Sequence, residues 1–446
     1  MNQKVSLREK FSYALGDAGC NFIWTVVGSF LTLYYTDSVG ISAATVGTIM
    51  LITRLLDGVS DLVMGAIIDR TKTRWGKARP WLLITAPFMA LGLVLLFSVP
   101  SSLSTNGKVV YAFLTYVFLA VFVYTACNLA YTTLLSLMSP DPKVRTTVSS
   151  IRYFITMIAI LMISYWTTPL VAKVGWTVAA IIFGVLGMLL LLIAFAGTKE
   201  RCAGDVEEQA TEEKMSVIES FKILFKNKYF IMVALLFVIN YVVGGATNGS
   251  GIYYAKDVLG NMGVFGTLVM CSMVPSMIAV LVLPQLSNKF GKWNLLMAGY
   301  VLQVLAYGAI SLVPTNLPVV LVALCIKSIG VLPHMAIMFA LVADVVDYGE
   351  WKTGKRLDGI TYSAVSFGMK VGTGLGSAII GWGLAFGGYD GMATVQTAGA
   401  VTSITALYSY IPLILTVVGI IVLFFTNLDK DLPAIQKELA ERKSNY

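Results

Sequence analysis

The stretch WTVAAIIFGVLGMLLLLIAFA, residues 176–196, runs its whole length without a charged side chain. Directly after it comes TKERCAGDVEEQATEEKMSVIESFKILFKNK, residues 198–228, dense in Glu, Lys, Arg and Asp. An apolar run of about 20 residues is the length that crosses a bilayer's hydrocarbon core as a helix. The charged stretch cannot enter that core, and it is the one long hydrophilic break in the chain. Working outward, apolar runs near 11–35, 43–68, 81–98, 109–138, 147–171 and 176–196 precede it. Runs near 229–255, 264–286, 294–313, 318–346, 360–385 and 404–426 follow it. The pattern predicts an all-α membrane protein of twelve transmembrane helices, here spans one to twelve. Its expected organisation is a six-helix half (1–196), a cytoplasmic central loop (197–228), a second six-helix half (229–426) and a cytoplasmic tail (427–446).

Composition agrees. Of 446 residues, 57% are hydrophobic and 13% charged, against about 25% charged in soluble domains. A soluble enzyme, a disordered chain and a disulfide-stapled scaffold are excluded. The net charge of +8 would suggest nucleic acid in a soluble protein, but here the basic residues sit in membrane-flanking loops, so no nucleic-acid partner is expected. Of the five cysteines, Cys20, Cys127, Cys271 and Cys325 fall in apolar runs and Cys202 in the central loop, with no CxxC spacing. The N-terminus lacks a signal peptide's short apolar stretch and cleavage site, so the first span is expected to remain.

Lysine and arginine mark the cytoplasmic side. With the N-terminus inside, the inner segments hold 25 of them and the outer loops only Lys108, Lys173 and Lys256. Four more, Arg54, Arg152, Lys327 and Lys370, fall within spans. Both termini are therefore expected in the cytoplasm of a cell with this chain in its inner membrane. The halves also echo one another. Gly65-Ala-Ile-Ile-Asp69-Arg70 with Arg74-Trp75-Gly76-Lys77 follows span two, and Ser287-Asn288-Lys289-Phe290-Gly291-Lys292-Trp293 follows span eight. Six plus six with a repeated basic turn is the layout of transporters built from parallel repeats. The G-x-x-x-D-R turn resembles the loop signature of the major facilitator superfamily, which implies a major facilitator fold.

An ionised group near mid-bilayer costs about 2.5–3.5 kcal/mol on insertion scales, so it needs a partner, water or a task. The spans hold four acids, Asp17, Asp57, Asp61 and Asp344, and four bases. On span two, Arg54, Asp57 and Asp61 are spaced i, i+3, i+7 and share one helical face. Two carboxylates four residues apart repel when both are ionised, which favours a bound proton or a shared cation. Ser60 and Thr125 could add the neutral oxygens a hard cation prefers. The competing reading is a fixed salt-bridge network around Arg54, although such networks stabilise poorly. Lys370 and Arg152 can bind a sugar hydroxyl or carboxylate, or pair with an acid released when a cation leaves. Lys327 reads as reaching toward a helix end, and His334, after Pro333, as a packed histidine at a kink. Asn21, Tyr124, Asn128 and Tyr131 either line a cavity or tie helices together.

Two enzyme-like strings are decoys. Gly349-Glu-Trp-Lys-Thr-Gly354-Lys355-Arg356 lacks the Ser or Thr that would hold magnesium in a phosphate-binding loop, and no strand precedes it. Gly372-Thr-Gly374-Leu-Gly376 sits inside span eleven. The chain is read as no enzyme and as needing no cofactor; without an ATP site, uphill transport must draw on an ion gradient.

Several motifs resemble the glycoside–pentoside–hexuronide:cation symporters, the melibiose permease family. They are Tyr34-Tyr35-Thr36-Asp37, Arg54-x-x-Asp57-x-x-x-Asp61-x-x-x-Gly65, Arg74-Trp75-Gly76-Lys77-x-Arg79-Pro80-Trp81, Asp141-Pro142-x-x-Arg145 and Ala343-Asp344-Val-Val-Asp347-Tyr348-Gly349-Glu350-Trp351-Lys352-Thr353-Gly354. The resemblance implies a sugar moved with Na+ or H+, Asp57 and Asp61 as cation-site carboxylates and Thr125 as a span-four ligand. Ser60 stands where melibiose permease has an asparagine. Asn21 and Asn128 replace the two aspartates that hold galactosyl hydroxyls there, which argues against melibiose and toward hexuronides, pentosides or β-glucosides. Tyr124, Arg152 and Lys370 match cavity and charge-coupling residues, while Thr132 replaces a cavity tryptophan. Asp69 and Arg70, with Asp344 and Asp347, are expected at cytoplasmic latches. Expected partners are a sugar, a monovalent cation and membrane lipids, with the carrier a monomer. A lipid or drug carrier of the same superfamily is the alternative, and it would want a less polar cavity.

Overall fold

A computed structural model describes residues 5–201, 217–280, 282–426 and 432–444. Cys202 and most of the central loop lie outside the described residues. Every regular element among them is helical. Local chemistry sets the helix starts. Ser6 accepts from the Glu9 amide at 3.2 Å ahead of Leu7–Leu33, and Ser42 from the Thr45 amide at 3.3 Å ahead of Ala43–Arg70. Ser104 and Asn316 do the same for helices beginning at Thr105 and Leu317. Each side-chain oxygen satisfies an amide that the first turn leaves without a partner.

Nine of the described helices are long and apolar enough to cross a membrane. Spans two and eleven, helical over Ala43–Arg70 and Asp358–Phe386, are not among the nine. Spans five and six form one rod, Pro142–Gly197, broken at Gly175, whose φ of +79° breaks the helical path; glycine takes that conformation at little steric cost. With the rod divided there, the helices are consistent with twelve passes. Span eight comes in two pieces, Phe265–Ala279 and Leu283–Phe290. Span ten outruns the expected 318–346: the helix continues from Leu317 to Thr353. Gly354, at φ +69°, ends it, with its amide on the Glu350 carbonyl at 2.8 Å. The string that mimics a phosphate loop is a helix end with a left-handed glycine cap.

Spans one and seven finish in the same irregular turn. Tyr34–Ser38 and Tyr254–Val258 are π-helical, and each is followed by a left-handed glycine, Gly40 at φ +78° and Gly260 at φ +67°. Val39 donates to the Tyr34 carbonyl at 3.1 Å and Leu259 to that of Tyr254 at 3.0 Å; the Ile41–Tyr35 and Asn261–Ala255 bonds are both 2.9 Å. In sequence the turns read YYTDSVG and YAKDVLG. This repeat is shorter and sharper than the basic-loop repeat.

The chain divides into two compact units, residues 1–211, 248–269 and 380–401 in the first and 212–247, 270–379 and 402–446 in the second. In the first, spans one and six touch backbone to backbone. A Cβ on Gly19 would lie 2.8 Å from the Gly187 carbonyl oxygen, and one on Gly187 would lie 3.0 Å from that of Gly19. Val185, Leu189 and Ile193 on span six are exposed, as a lipid-facing surface requires. In the second unit, Phe230, Val233, Phe237, Tyr300, Val342 and Leu423 form part of one buried cluster. Lipid tails are as apolar as leucine, so close packing rather than flight from water holds such helices together.

Gly187→Val is therefore expected to lower the thermal unfolding midpoint in detergent, with an overpacking cost of about 1–3 kcal/mol. Gly28, around which a Cβ would meet nothing within 4 Å, serves as control: Gly28→Val leaves the midpoint near that of the parent.

Candidate functional site

The span-two face forms as the spacing predicts. Asp57 is buried, and its Oδ1 accepts the Thr125 hydroxyl at 2.6 Å. The Ser60 hydroxyl lies 3.3 Å from that of Thr125 and 3.0 Å from the Asp57 carbonyl. Thr125 follows a π-helical stretch in span four, Phe118–Tyr124; the wider turn shifts which side chains share a face. Arg54 approaches Asp57 Oδ2 at 3.7 Å. Its guanidinium also sits 4.2 Å over the ring of Trp24, which stacks on Tyr124 at 4.1 Å. Asp61 is part-exposed one helical turn further along. The fold thus gathers Asp57, Ser60 and Thr125 into an oxygen cluster and places Tyr124 two rings away from Arg54.

The expected sugar-side residues of the first unit each have their own local partners. Asn21 donates to the Asp17 carbonyl at 2.9 Å. Tyr124 and Asn128 are part-exposed, whereas Thr132 is exposed and directs its hydroxyl to carbonyls of its own helix, Asn128 and Leu129, at 3.0 Å. Arg152 Nε lies 3.8 Å from Asp17 Oδ2, which also accepts the Thr156 hydroxyl at 2.7 Å. Asp17 was visible as a membrane acid but had no assigned role; it is the partner of Arg152. Its pairing spans 135 residues of sequence, so no local pattern reveals it. Next to it, Tyr13 and Tyr131 stack at 4.4 Å, and each hydroxyl bonds the other's carbonyl. Lys370 belongs to the second unit and is part-exposed.

At the helix ends expected in the cytoplasm, Asp69 and Arg70 are exposed. Asp344 pairs with Lys292, and Asp347 receives Arg356 and Gln436, both at 3.1 Å. Arg356 also meets Glu350 at 2.7 Å and Asp358 at 2.7 Å. The Glu350 bond above all, with Asp358 and Asp347, pushes its pKa above the ordinary guanidinium range. Sequence reasoning missed Glu200. Its carboxylate gathers the amides of Lys77, Ala78 and Arg79 at 2.8, 2.9 and 2.8 Å, where span three begins. Helix N-termini attract anions through these unpaired amides and the helix dipole. The basic turn after span two is thereby tied to the end of span six.

A second missed cluster joins the far end of span one to the matching end of span seven within the first unit. Asp37 receives Lys256 at 2.5 Å and the Tyr389 hydroxyl at 3.0 Å to each oxygen. Thr36 lies 2.9 Å from the Tyr253 hydroxyl, and a Cβ on Gly391 would come within 2.4 Å of the Thr36 carbonyl. The YYTDSVG/YAKDVLG repeat is the sequence signal that could have found it. A separate groove of about 900 Å³ between spans one, five and six is lined by Leu15, Phe22, Ile158, Met162 and Leu186, with Lys173 the one charged side chain among the described residues that line it. Hydrocarbon walls suit acyl chains, not a polyhydroxyl ligand.

Asp17→Asn is expected to destabilise the protein because it leaves Arg152 facing no counter-charge. In a double-mutant cycle with Arg152→Gln, thermal melts in detergent give a coupling of about 0.5–3 kcal/mol; additive losses would dissolve the pair.

Across residues 12–430 the chain matches the family model described as MFS/sugar transport protein. It is 33% identical to the isoprimeverose transporter of Lactiplantibacillus pentosus, covering 98% of this chain and 92% of that protein. To the glucuronide carrier protein homolog of Escherichia coli K12 it is 32% identical, covering 99% and 97%. To the inner membrane symporter YicJ of the same strain it is 31% identical, covering 99% and 96%. Among solved structures, the nucleoside transporter NupG superposes with a TM-score of 0.64 over 98% of this chain and all of that one. Identity there is 16%, so that likeness concerns the fold.

Proposed function

The chain belongs to the MFS/sugar transport protein family, and from that premise we propose that it imports a glycoside, pentoside or hexuronide together with Na+ or H+ by alternating access. The observation that carries the reading is the buried Asp57 carboxylate, served by the Thr125 hydroxyl at 2.6 Å with Ser60 beside it. A monovalent cation is the cargo such a cluster suits, since hard cations take oxygen ligands and a carboxylate can equally take a proton. Full-length relatives named for isoprimeverose and glucuronide transport support sugar as the second cargo. They also weigh against the lipid or drug carrier.

Cation binding at Asp57 and Asp61 relieves their mutual repulsion and competes with Arg54 for the Asp57 carboxylate. The sugar then binds against Asn21, Tyr124, Asn128, Thr132 and Arg152, and Lys370 is a further substrate-binding residue of this reading. Coupling requires that each cargo raise the other's affinity by the same factor. Asp37, Lys256 and Tyr389 act as the outer latch, on the face that the charge asymmetry assigns to the outside, and Asp69, Arg70, Asp344 and Asp347 serve the cytoplasmic one. The carrier works as a monomer among membrane lipids.

In right-side-out vesicles, a panel of glycosides, pentosides and hexuronides added while external pH and Na+ are recorded tests the reading. Alkalinisation identifies H+ as the partner, disappearance of external Na+ identifies Na+, and no ion movement with any sugar rejects symport. Asp57→Asn is expected to abolish accumulation against a gradient while sparing exchange; uphill uptake at the parent rate would remove Asp57 from the site. Lys256→Met with Tyr389→Phe is expected to hold the carrier open outward, so that a cysteine placed at Asn128 reacts faster with an impermeant thiol reagent added outside. An unchanged rate would show that the cluster holds nothing shut.

A further inference from the structure

We infer that Lys327 is an anion-binding residue of the second unit, whose ligand is the carboxylate of a hexuronide; this rests on the sugar-symport reading above. Lys327 is the eleventh residue of the helix Leu317–Thr353, which places it about 15 Å along the axis from the start. That depth is close to the middle of a bilayer's core.

Its direction argues against a lysine that escapes to the surface. On a helix, residues seven apart share a face. Val320 and His334, seven to either side, are both buried, while the apolar residues Val322 and Ile329 on another face are exposed. Lys327 therefore points into the protein and away from lipid. The residue is nonetheless part-exposed.

Nothing described neutralises it. Lys327 forms no ion pair and no hydrogen bond among the described residues. Its recorded neighbour is the ring of Tyr307 on span nine, whose centroid lies 6.0 Å from Nζ, the outer limit of a useful cation–ring attraction. The Tyr307 hydroxyl is buried and has no hydrogen-bond partner among the described residues. Asp344, the acid that the sequence reading places in the spans of this unit, is held by Lys292. An ammonium at this depth with no counter-charge is costly unless an anion visits it. A carboxylate delivered by the substrate satisfies it and adds a charge-assisted bond.

The assignment distinguishes an anionic sugar from its neutral counterpart. Purified full-length protein in proteoliposomes is assayed for uptake of 4-nitrophenyl β-D-glucuronide and 4-nitrophenyl β-D-glucoside. The parent is expected to take up both, with the lower KM for the glucuronide. Lys327→Met should raise the glucuronide KM about tenfold or more, as loss of a charged hydrogen bond does, and leave glucoside uptake near the parent value. Lys327→Arg should recover most of the glucuronide preference, and the Arg and Gln variants replace Met if that one does not reach the membrane. Equal loss of both sugars, or loss of neither, overturns the assignment, as does a parent that takes only the glucoside. A parent that moves neither sugar, nor any other of the panel above, overturns the symport reading, and this proposal with it.

Discussion

A charge inside hydrocarbon must be answered, and the answers organise this protein. An uncompensated carboxylate or guanidinium in that medium costs several kcal/mol even after relaxation. Asp17 is answered by Arg152 and the Thr156 hydroxyl, Asp57 by Thr125 and more distantly by Arg54, and Asp344 by Lys292. These answers differ in kind. Asp57 receives its short bond from a neutral hydroxyl, while its cationic neighbour stands off at 3.7 Å and rests on Trp24. The Asp344–Lys292 pair is a direct contact near a helix end.

The membrane-flanking turns obey a second constraint, the unpaired amides and carbonyls of helix ends. Glu200 caps the start of span three with three amides, and Gly76 makes room for it at φ +110°. A Cβ there would lie 2.3 Å from the Glu200 carboxylate. The basic turn's glycine is thus explained by a single close approach. Arg356 gathers Asp347, Glu350 and Asp358 around the end of span ten in the same economical manner. Both clusters lie within one unit each, so the loops expected as latches are already engaged by their own helices.

The paired turns after spans one and seven connect local irregularity to a long-range contact. A π-helical turn followed by a left-handed glycine puts Asp37 and Lys256 at equivalent ends of two related spans. One supplies an acid and the other a base, and Tyr389 bonds both. In the repeat Asp37 aligns with Asp257 and Lys256 with Thr36, so the pair joins positions offset by one residue.

Much of the fold was legible in the residues. The all-helical membrane class and the polar face of Arg54, Asp57 and Asp61 follow from run length and helical period, which are local properties, and the helices are consistent with the expected twelve passes. Ser60 was legible beside the paired acids and Thr125 through the family resemblance, and Thr125 lies within hydrogen-bond distance of both Asp57 and Ser60. The sequence could not reveal Asp17 as the partner of Arg152, Glu200 as a cap, or Asp37 with Lys256 and Tyr389. Each joins residues more than a hundred positions apart, and which helices meet is decided by packing at places such as Gly19 and Gly187. Composition and period by themselves determined that this chain is a bundle of membrane helices with charges inside. Tertiary structure decided which charges meet, because a pairing depends on distances that no single helix contains.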